Sequence, residues 1–154
     1  MAARFATSGD VGEVVRLAGV MYASVGQDIS DPRWISAAEG HFRSRLGADV
    51  QVVVVDHPDG NRLAASGAAV IVRRLPAPHN PGALVAYIQW VATDEDMRRQ
   101  GLCREVMRLL LDWCAARGAP IVELHATPDG EALYRSLGFG QRGPIALRRR
   151  EWDT

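Results

Sequence analysis

The stretch Tyr87–Gly118, YIQWVATDEDMRRQGLCREVMRLLLDWCAARG, decides the fold. It reads as an apolar strand, a short acidic turn, a basic loop carrying one glycine, and a long amphipathic helix. Leu102, Val106, Leu109, Leu110, Trp113 and Cys114 fall on one broad apolar face, while Arg104, Arg108 and Asp112 stack on the other. A strand that feeds a helix through such a loop places unsatisfied backbone N–H groups at the positive end of the helix dipole. That arrangement suits a phosphate. Gly101 allows close backbone approach or an unusual φ, and Arg98 and Arg99 add positive charge beside it. On its own, the loop reads equally as an ordinary helix start with solvated arginines.

Outward from this stretch, the chain is mixed. Arg4–Thr7 is a short strand. Asp10 with Glu13 three residues on predicts a capped helix, carried by Val11, Val14, Val15, Leu17, Ala18 and Met21 and fading near Gly26. Asp31 or Ser30 then caps a second helix, with Pro32 in its first turn, a stripe of Trp34, Ile35, Ala38, Phe42 and Leu46, and Gly47 as its stop. Gln51–Asp56 and Arg62–Arg74 predict an antiparallel hairpin turning at Pro58–Asn61. Small residues dominate the first half of the return strand, so something packs closely on it. Ala83–Ala92 is the next strand, Gly101–Arg117 a helix, Ile121–Ala126 a strand and Pro128–Leu137 a short helix. Phe139–Gly143 and Ile145–Arg150 close the chain as a last pair of strands. The order β-α-α-β-β-β-α-β-α-β-β implies an α/β (α+β) mixed sheet with helices on its faces. The runs Val52–Val55 and Ile121–Leu124 show little polar alternation and should be covered on both sides.

The totals bound the function. The 154 residues suit a single domain spanning 1–154, and 47% apolar with 23% charged residues is ordinary globular composition. A formal net charge of zero gives no support to a nucleic acid or membrane-surface role, and the Arg148–Arg150 run is too short to change that. No apolar run approaches the ~20 residues of a membrane span. The start MAARFATSGD has no long apolar segment, so the cytoplasm is the expected compartment. Cys103 and Cys114 sit on one helix roughly 16 Å apart and cannot bridge. With few sulfur or histidine partners nearby, they read as small core residues and no metal site is expected.

Two motifs carry a resemblance. Arg98-x-x-Gly101-x-Cys103 is similar to the phosphate-binding motif of the GNAT superfamily, the acyl-CoA-dependent N-acetyltransferases, in which the last position is Gly or Ala. Downstream, Ala132-Leu133-Tyr134-Arg135-Ser136-Leu137-Gly138-Phe139 resembles the family's second signature, a tyrosine ahead of Leu-Gly-Phe. The pair, in order and at this spacing, covers Trp90–Phe139, and the element order fits along essentially the whole chain.

The resemblance implies a mostly antiparallel central sheet with a splayed strand pair. A bulge near Gln89–Val91 would part that strand from Ile121–His125. It implies acetyl-CoA as co-substrate, with Val91, Ala92 and Thr93 bonding the pantetheine arm through backbone. Arg99–Arg104 (that is, Arg99, Gln100, Gly101, Leu102, Cys103 and Arg104), flanked by Arg98, would hold the pyrophosphate. Val91 N–H would polarise the thioester carbonyl, and Tyr134 would occupy the general-acid position. Many family members carry an acid on the strand equivalent to Ala83–Ala92, and here only Gln89 is polar in a useful position. Glu123 and His125 are the candidate bases, each reading equally as a hydrogen-bonded strand residue. The acceptor expected is a primary amine of a small molecule or peptide, chosen by the loop holding Tyr22, Gln27, Asp28 and Asp31 and by the last hairpin, with Trp34 lining the pocket or sitting in the core. A homodimer is a further possible arrangement. The acid-poor strand leaves open a non-catalytic acyl-CoA-binding domain of the same fold, against which Tyr134 argues. A dinucleotide-binding module lacks its G-x-G-x-x-G here.

Overall fold

The structure, a computed structural model, describes residues 2–152; Met1, Asp153 and Thr154 lie outside the described residues. Its centre is a five-stranded sheet in the order β1-β2-β3-β4-β5. The strands are β1 (Ala3–Phe5), β2 (Val50–Asp56), β3 (Leu63–Arg73), β4 (Leu84–Thr93) and β5 (Ile121–Glu123). Neighbours are antiparallel except β4 and β5, which run parallel. The helices are α1 (Val11–Ser24), α2 (Pro32–Arg45), α3 (Leu102–Ala116) and α4 (Glu131–Ser136). None of the helices among the described residues is long and apolar enough to cross a membrane.

The four consecutive valines of β2, Val52–Val55, explain the layering. Successive side chains of a strand point to opposite faces. Val52 and Val54 therefore join a cluster with Val14, Leu17, Ala38 and Phe42 of α1 and α2. Val53 and Val55 join another with Val106, Met107, Leu110 and Cys114 of α3. All four valines are fully buried, which explains their unbroken apolar run.

The small residues of β3 let α3 lie directly on the sheet. A Cβ at Gly67 would meet Val106 Cγ1 at 2.9 Å, Leu110 Cδ1 at 3.2 Å and Val91 Cγ2 at 3.3 Å. Val106 and Leu110 are completely buried and have nowhere to retreat. Gly67→Ala is therefore expected to cost about 1–3 kcal/mol by overpacking. Urea unfolding checks this; a loss under about 0.5 kcal/mol would mean that α3 shifts freely.

Three sequence expectations change. The capping box lies one turn earlier, in the 3-10 turn Ser8–Asp10, where the Asp10 carboxylate accepts the Thr7 N–H at 2.8 Å. Glu13 is drawn elsewhere: it accepts the Leu63 N–H at 2.9 Å and pairs with Arg16 at 2.6 Å. At the second helix, Asp31 does cap α2 by accepting the Arg33 N–H, as one of the two alternatives foresaw. The strand Ile121–Ala126 is shorter than its apolar run and ends at Glu123. The terminal pair, Phe139–Gly143 and Ile145–Arg150, does not form among the described residues. Gly140, Gly143 and Pro144 interrupt it, and Ile145 and Leu147 stay 77% and 88% exposed, so the alternation there is not matched by burial of one face.

Candidate active site

The site grows from an irregularity in β4. Ser66 pairs with Ala92 and Ala68 with Gln89, so Trp90 and Val91 oppose the single residue Gly67. That is a β-bulge. Trp90 adopts φ 58°, a conformation costly for a bulky side chain and characteristic of functional sites. On its other side β4 pairs with β5 only from Val85 to Tyr87, against Ile121 to Glu123. Beyond Tyr87 the strands part. The opening is a slot of about 350 Å³ lined by Tyr87 through Val91 on one wall, by Leu124, His125 and Thr127 on the other, and by Tyr22, Tyr134 and Arg148 at its ends.

A second groove, about 220 Å³, continues from the slot toward the start of α3. Val91, Ala92, Thr93, Arg98, Cys103 and Tyr134 line it together with Asp129 and Gly130. At its far end Arg99 takes φ 63° and Gly101 φ 77°. Gly101 is the helix N-cap, no side chain caps the turn, and nothing lies within 4 Å of where its Cβ would be. An uncapped helix start facing open space, with left-handed residues alternating in the loop before it, is a cradle for an anionic group. The loop thus suits a pyrophosphate.

The candidate residues separate by environment. Leu102 turns its side chain into the core, so only its backbone faces the loop. Arg104 is tied to Ser136 Oγ at 2.9 Å, linking α3 to α4. Arg98 Nε reaches the Thr93 carbonyl at 3.4 Å, and Gln100 Nε2 lies 4.0 Å from Met97 Sδ. Burial pushes the Cys103 thiol up to about 11, so it is a neutral wall of the groove. Burial also raises the Tyr134 phenol, with the neighbouring Cys103 adding to the effect, so Tyr134 stays protonated at neutral pH. Its ring is held edge-on by Phe139, with centroids 6.0 Å apart, and lies over Gly130, where a Cβ would come within 2.9 Å of it.

The two candidate bases part company. His125 lines the slot, and its Nδ1 is 2.5 Å from the Tyr87 hydroxyl. Glu123 does not line the slot but a neighbouring groove that also meets His125 and Tyr134, and Arg74 donates to both its carboxylate oxygens at 3.2 and 2.8 Å. Tyr87 was not among the sequence candidates, although desolvation raises its phenol too. Asp94, Glu95 and Asp96 shape the turn, as expected: Asp94 caps the 3-10 turn Glu95–Met97 and pairs with Arg16 and Arg62. Trp34 lines a large chamber and Asp31 only its rim.

A model of the acetyltransferase (GNAT) family matches residues 25–139. The chain belongs to that family. This acetyltransferase is 28% identical over 152 residues to glucosamine 6-phosphate N-acetyltransferase 1 of Oryza sativa subsp. japonica, covering 92% of the chain and 90% of that protein. A predicted acetyltransferase from Clostridium acetobutylicum, crystallised with acetyl-CoA, shares its fold with a TM-score of 0.85 at 17% identity, covering 96% and 94% of the two chains. Glucosamine-6-phosphate N-acetyltransferase from Arabidopsis thaliana superposes with a TM-score of 0.73 at 19% identity, covering 97% of this chain and 97% of that one. The mixed sheet, the helices on both faces and the assignment as an acyltransferase therefore stand together.

Proposed function

We propose that this acetyltransferase is one catalytic domain that moves the acetyl group of acetyl-CoA directly onto a primary amine of a small molecule or peptide. The observation that carries the reading is the continuity of open space from the uncapped start of α3, along the groove, to the slot where Tyr134 and His125 meet. Bound acetyl-CoA would supply the activated thioester. The Arg99–Arg104 backbone with Arg98 and Arg99 would hold its pyrophosphate, and Ala92 and Thr93 would pair with the arm between.

The chain's own groups do the rest. Val91 N–H, freed by the bulge, donates to the oxygen on which negative charge develops. His125 takes the proton from the incoming ammonium. The tautomer with Nδ1–H donating to the Tyr87 oxygen leaves the lone pair for that proton at Nε2, which Arg148 Nη2 faces at 3.5 Å and must leave free for the amine. The neutral amine then bonds to the thioester carbon, the C–S bond breaks as Tyr134 O–H gives its proton to the departing sulfur, and the second proton that nitrogen loses on becoming an amide returns to the Tyr134 oxygen. Glu123 is engaged by Arg74 through both carboxylate oxygens, which supports His125 over Glu123 as the base.

Release of CoA thiol from acetyl-CoA across a panel of amines, glucosamine 6-phosphate included, tests the activity. His125→Ala should lower turnover at pH 7 by about 10²-fold. Tyr87→Phe should lose less and move the pH profile of kcat. A His125→Ala protein turning over at the wild-type rate removes histidine from the mechanism.

A further inference from the structure

We propose that the acceptor is a primary amine on an apolar body of aromatic size, carrying no phosphate, and that this body docks in the chamber beneath α2. The inference rests on the acyl-transfer reading for the amine's fate, and on the chamber alone for its chemistry.

The chamber has a volume of about 590 Å³, within the range of small-molecule sites. It lies between α2 and strands β2–β4 and adjoins the slot, sharing Tyr22, Gln27, Gln89 and Trp90 with it. A ligand filling the chamber can therefore present a group to the reacting centre. The larger part of the wall is apolar, with Trp34, Phe42, Val52, Val70 and Trp90, and Gln27, His41 and Gln89 supply polar groups among them. The aromatic part is also fixed in place. The indole N–H of Trp34 donates to the Ile29 carbonyl at 3.1 Å, and Tyr22 meets the ring edge-on at 6.0 Å. Gly19 makes room for that ring against α1, since a Cβ there would touch it at 3.5 Å. A pre-set aromatic wall whose polar atom is already satisfied favours a flat apolar body.

The charges favour an ammonium over a phosphate. Arg45, the guanidinium lining the chamber, is held by Asp49 through Nε at 3.0 Å and Nη2 at 2.6 Å, and its Nη1 lies 3.2 Å from His41. It has little positive potential left to offer. Asp31 is matched by Arg33, whereas Asp28 accepts from Ser30, its N–H at 2.9 Å and its hydroxyl, with no guanidinium against it among the contacts of the described residues, and stays charged at the rim. Arg148 faces His125 in the slot, with Nη2 3.5 Å from Nε2, and does not line the chamber. A dianion entering here would meet a net negative rim, and an ammonium an attractive one. This separates the chain from the phosphosugar acceptor named for its rice relative.

The test uses the full chain saturated with CoA, titrated calorimetrically with 2-phenylethylamine and with glucosamine 6-phosphate, and then assayed with both plus acetyl-CoA. The arylalkylamine should bind about tenfold or more tightly than the phosphosugar. Ala37→Phe, at the exposed rim of the chamber, should weaken it by about tenfold while leaving CoA affinity and the melting temperature unchanged. Equal or better binding of glucosamine 6-phosphate, or an Ala37→Phe protein that still binds 2-phenylethylamine normally, overturns the proposal. So does a preference for octanoyl-CoA over acetyl-CoA abolished by Ala37→Phe, which would give the chamber to the acyl chain. Binding of 2-phenylethylamine without turnover keeps the chamber assignment and removes the acyl-transfer reading. Turnover of glucosamine 6-phosphate alone does the reverse.

Discussion

Tyr134→Phe should bind acetyl-CoA with unchanged affinity and lose roughly 10²–10⁴ in turnover, equivalent to about 2.7–5.4 kcal/mol of transition-state stabilisation. The substitution removes one oxygen and keeps the ring between Phe139 and Gly130, so the groove wall is preserved. The size of the effect follows from burial. The phenol sits in the groove beside Cys103, and burial raises its pKa, so it is fully protonated when the thiolate leaves. A sulfur anion released into that low-dielectric groove without a proton is costly, and the other hydroxyls lining the groove, those of Ser24, Thr93 and Thr127, are aliphatic and far weaker acids than a phenol. Stopped-flow measurement of thiol release with a good amine, beside calorimetric acetyl-CoA binding, separates chemistry from affinity. A Tyr134→Phe protein with wild-type turnover would falsify the acid assignment. Equal losses in binding and turnover would instead make Tyr134 a packing residue.

Where the sequence was legible, the local backbone carried the information. Gly101 marked the start of α3 because a left-handed residue is needed at that cap, and the structure gives it φ 77°. The β2 valines announced two-sided burial because both faces receive helices. The bulge at Trp90 and Val91 was visible only through family likeness; nothing in the strand's composition demands an extra residue opposite Gly67. Thr7-x-x-Asp10 and Asp10-x-x-Glu13 both fit a cap pattern, and the choice was made by Leu63, fifty positions away, which draws Glu13 off. Glu123 and His125 were paired by strand alternation, an argument that lapses where β5 stops at Glu123. Tyr87 went unread because its meeting with His125 depends on parallel pairing of β4 with β5 in one register, Tyr87 opposite Glu123. Contacts fixed by long-range register are not written in any window of residues, whereas caps and periodicities are.

Asp94→Ala should destabilise the protein by about 3 kcal/mol at pH 7, near the low end for removing one partner of a desolvated pair. Asp94 is 10% exposed at its side chain, and it receives Arg16 at 2.9 Å and Arg62 at 2.7 Å, which are 37% and 34% exposed. The half-open guanidiniums hold the cost down, since water and Glu13, Asp59 and Asp96 still serve them. The carboxylate also caps the 3-10 turn that leads into the Arg98–Arg104 loop, so its loss should loosen acetyl-CoA binding as well as the fold. The Arg16 hydrogen bond, ahead of all other causes, holds the Asp94 pKa below its ordinary value. A depressed pKa contributes stability that is fully present above the unfolded value, near 3.9, and lost as pH falls through the folded one. The gap between wild type and Asp94→Ala should therefore be constant from pH 7 to about pH 5 and narrow below about pH 4. Urea unfolding of both proteins at pH 7 and pH 3 measures it. A gap of the same size at both pH values would mean that the charge on Asp94 is immaterial and that the lost cap alone destabilises the variant. No gap at pH 7 would reduce the cluster joining α1, β3 and the turn to solvated surface pairs.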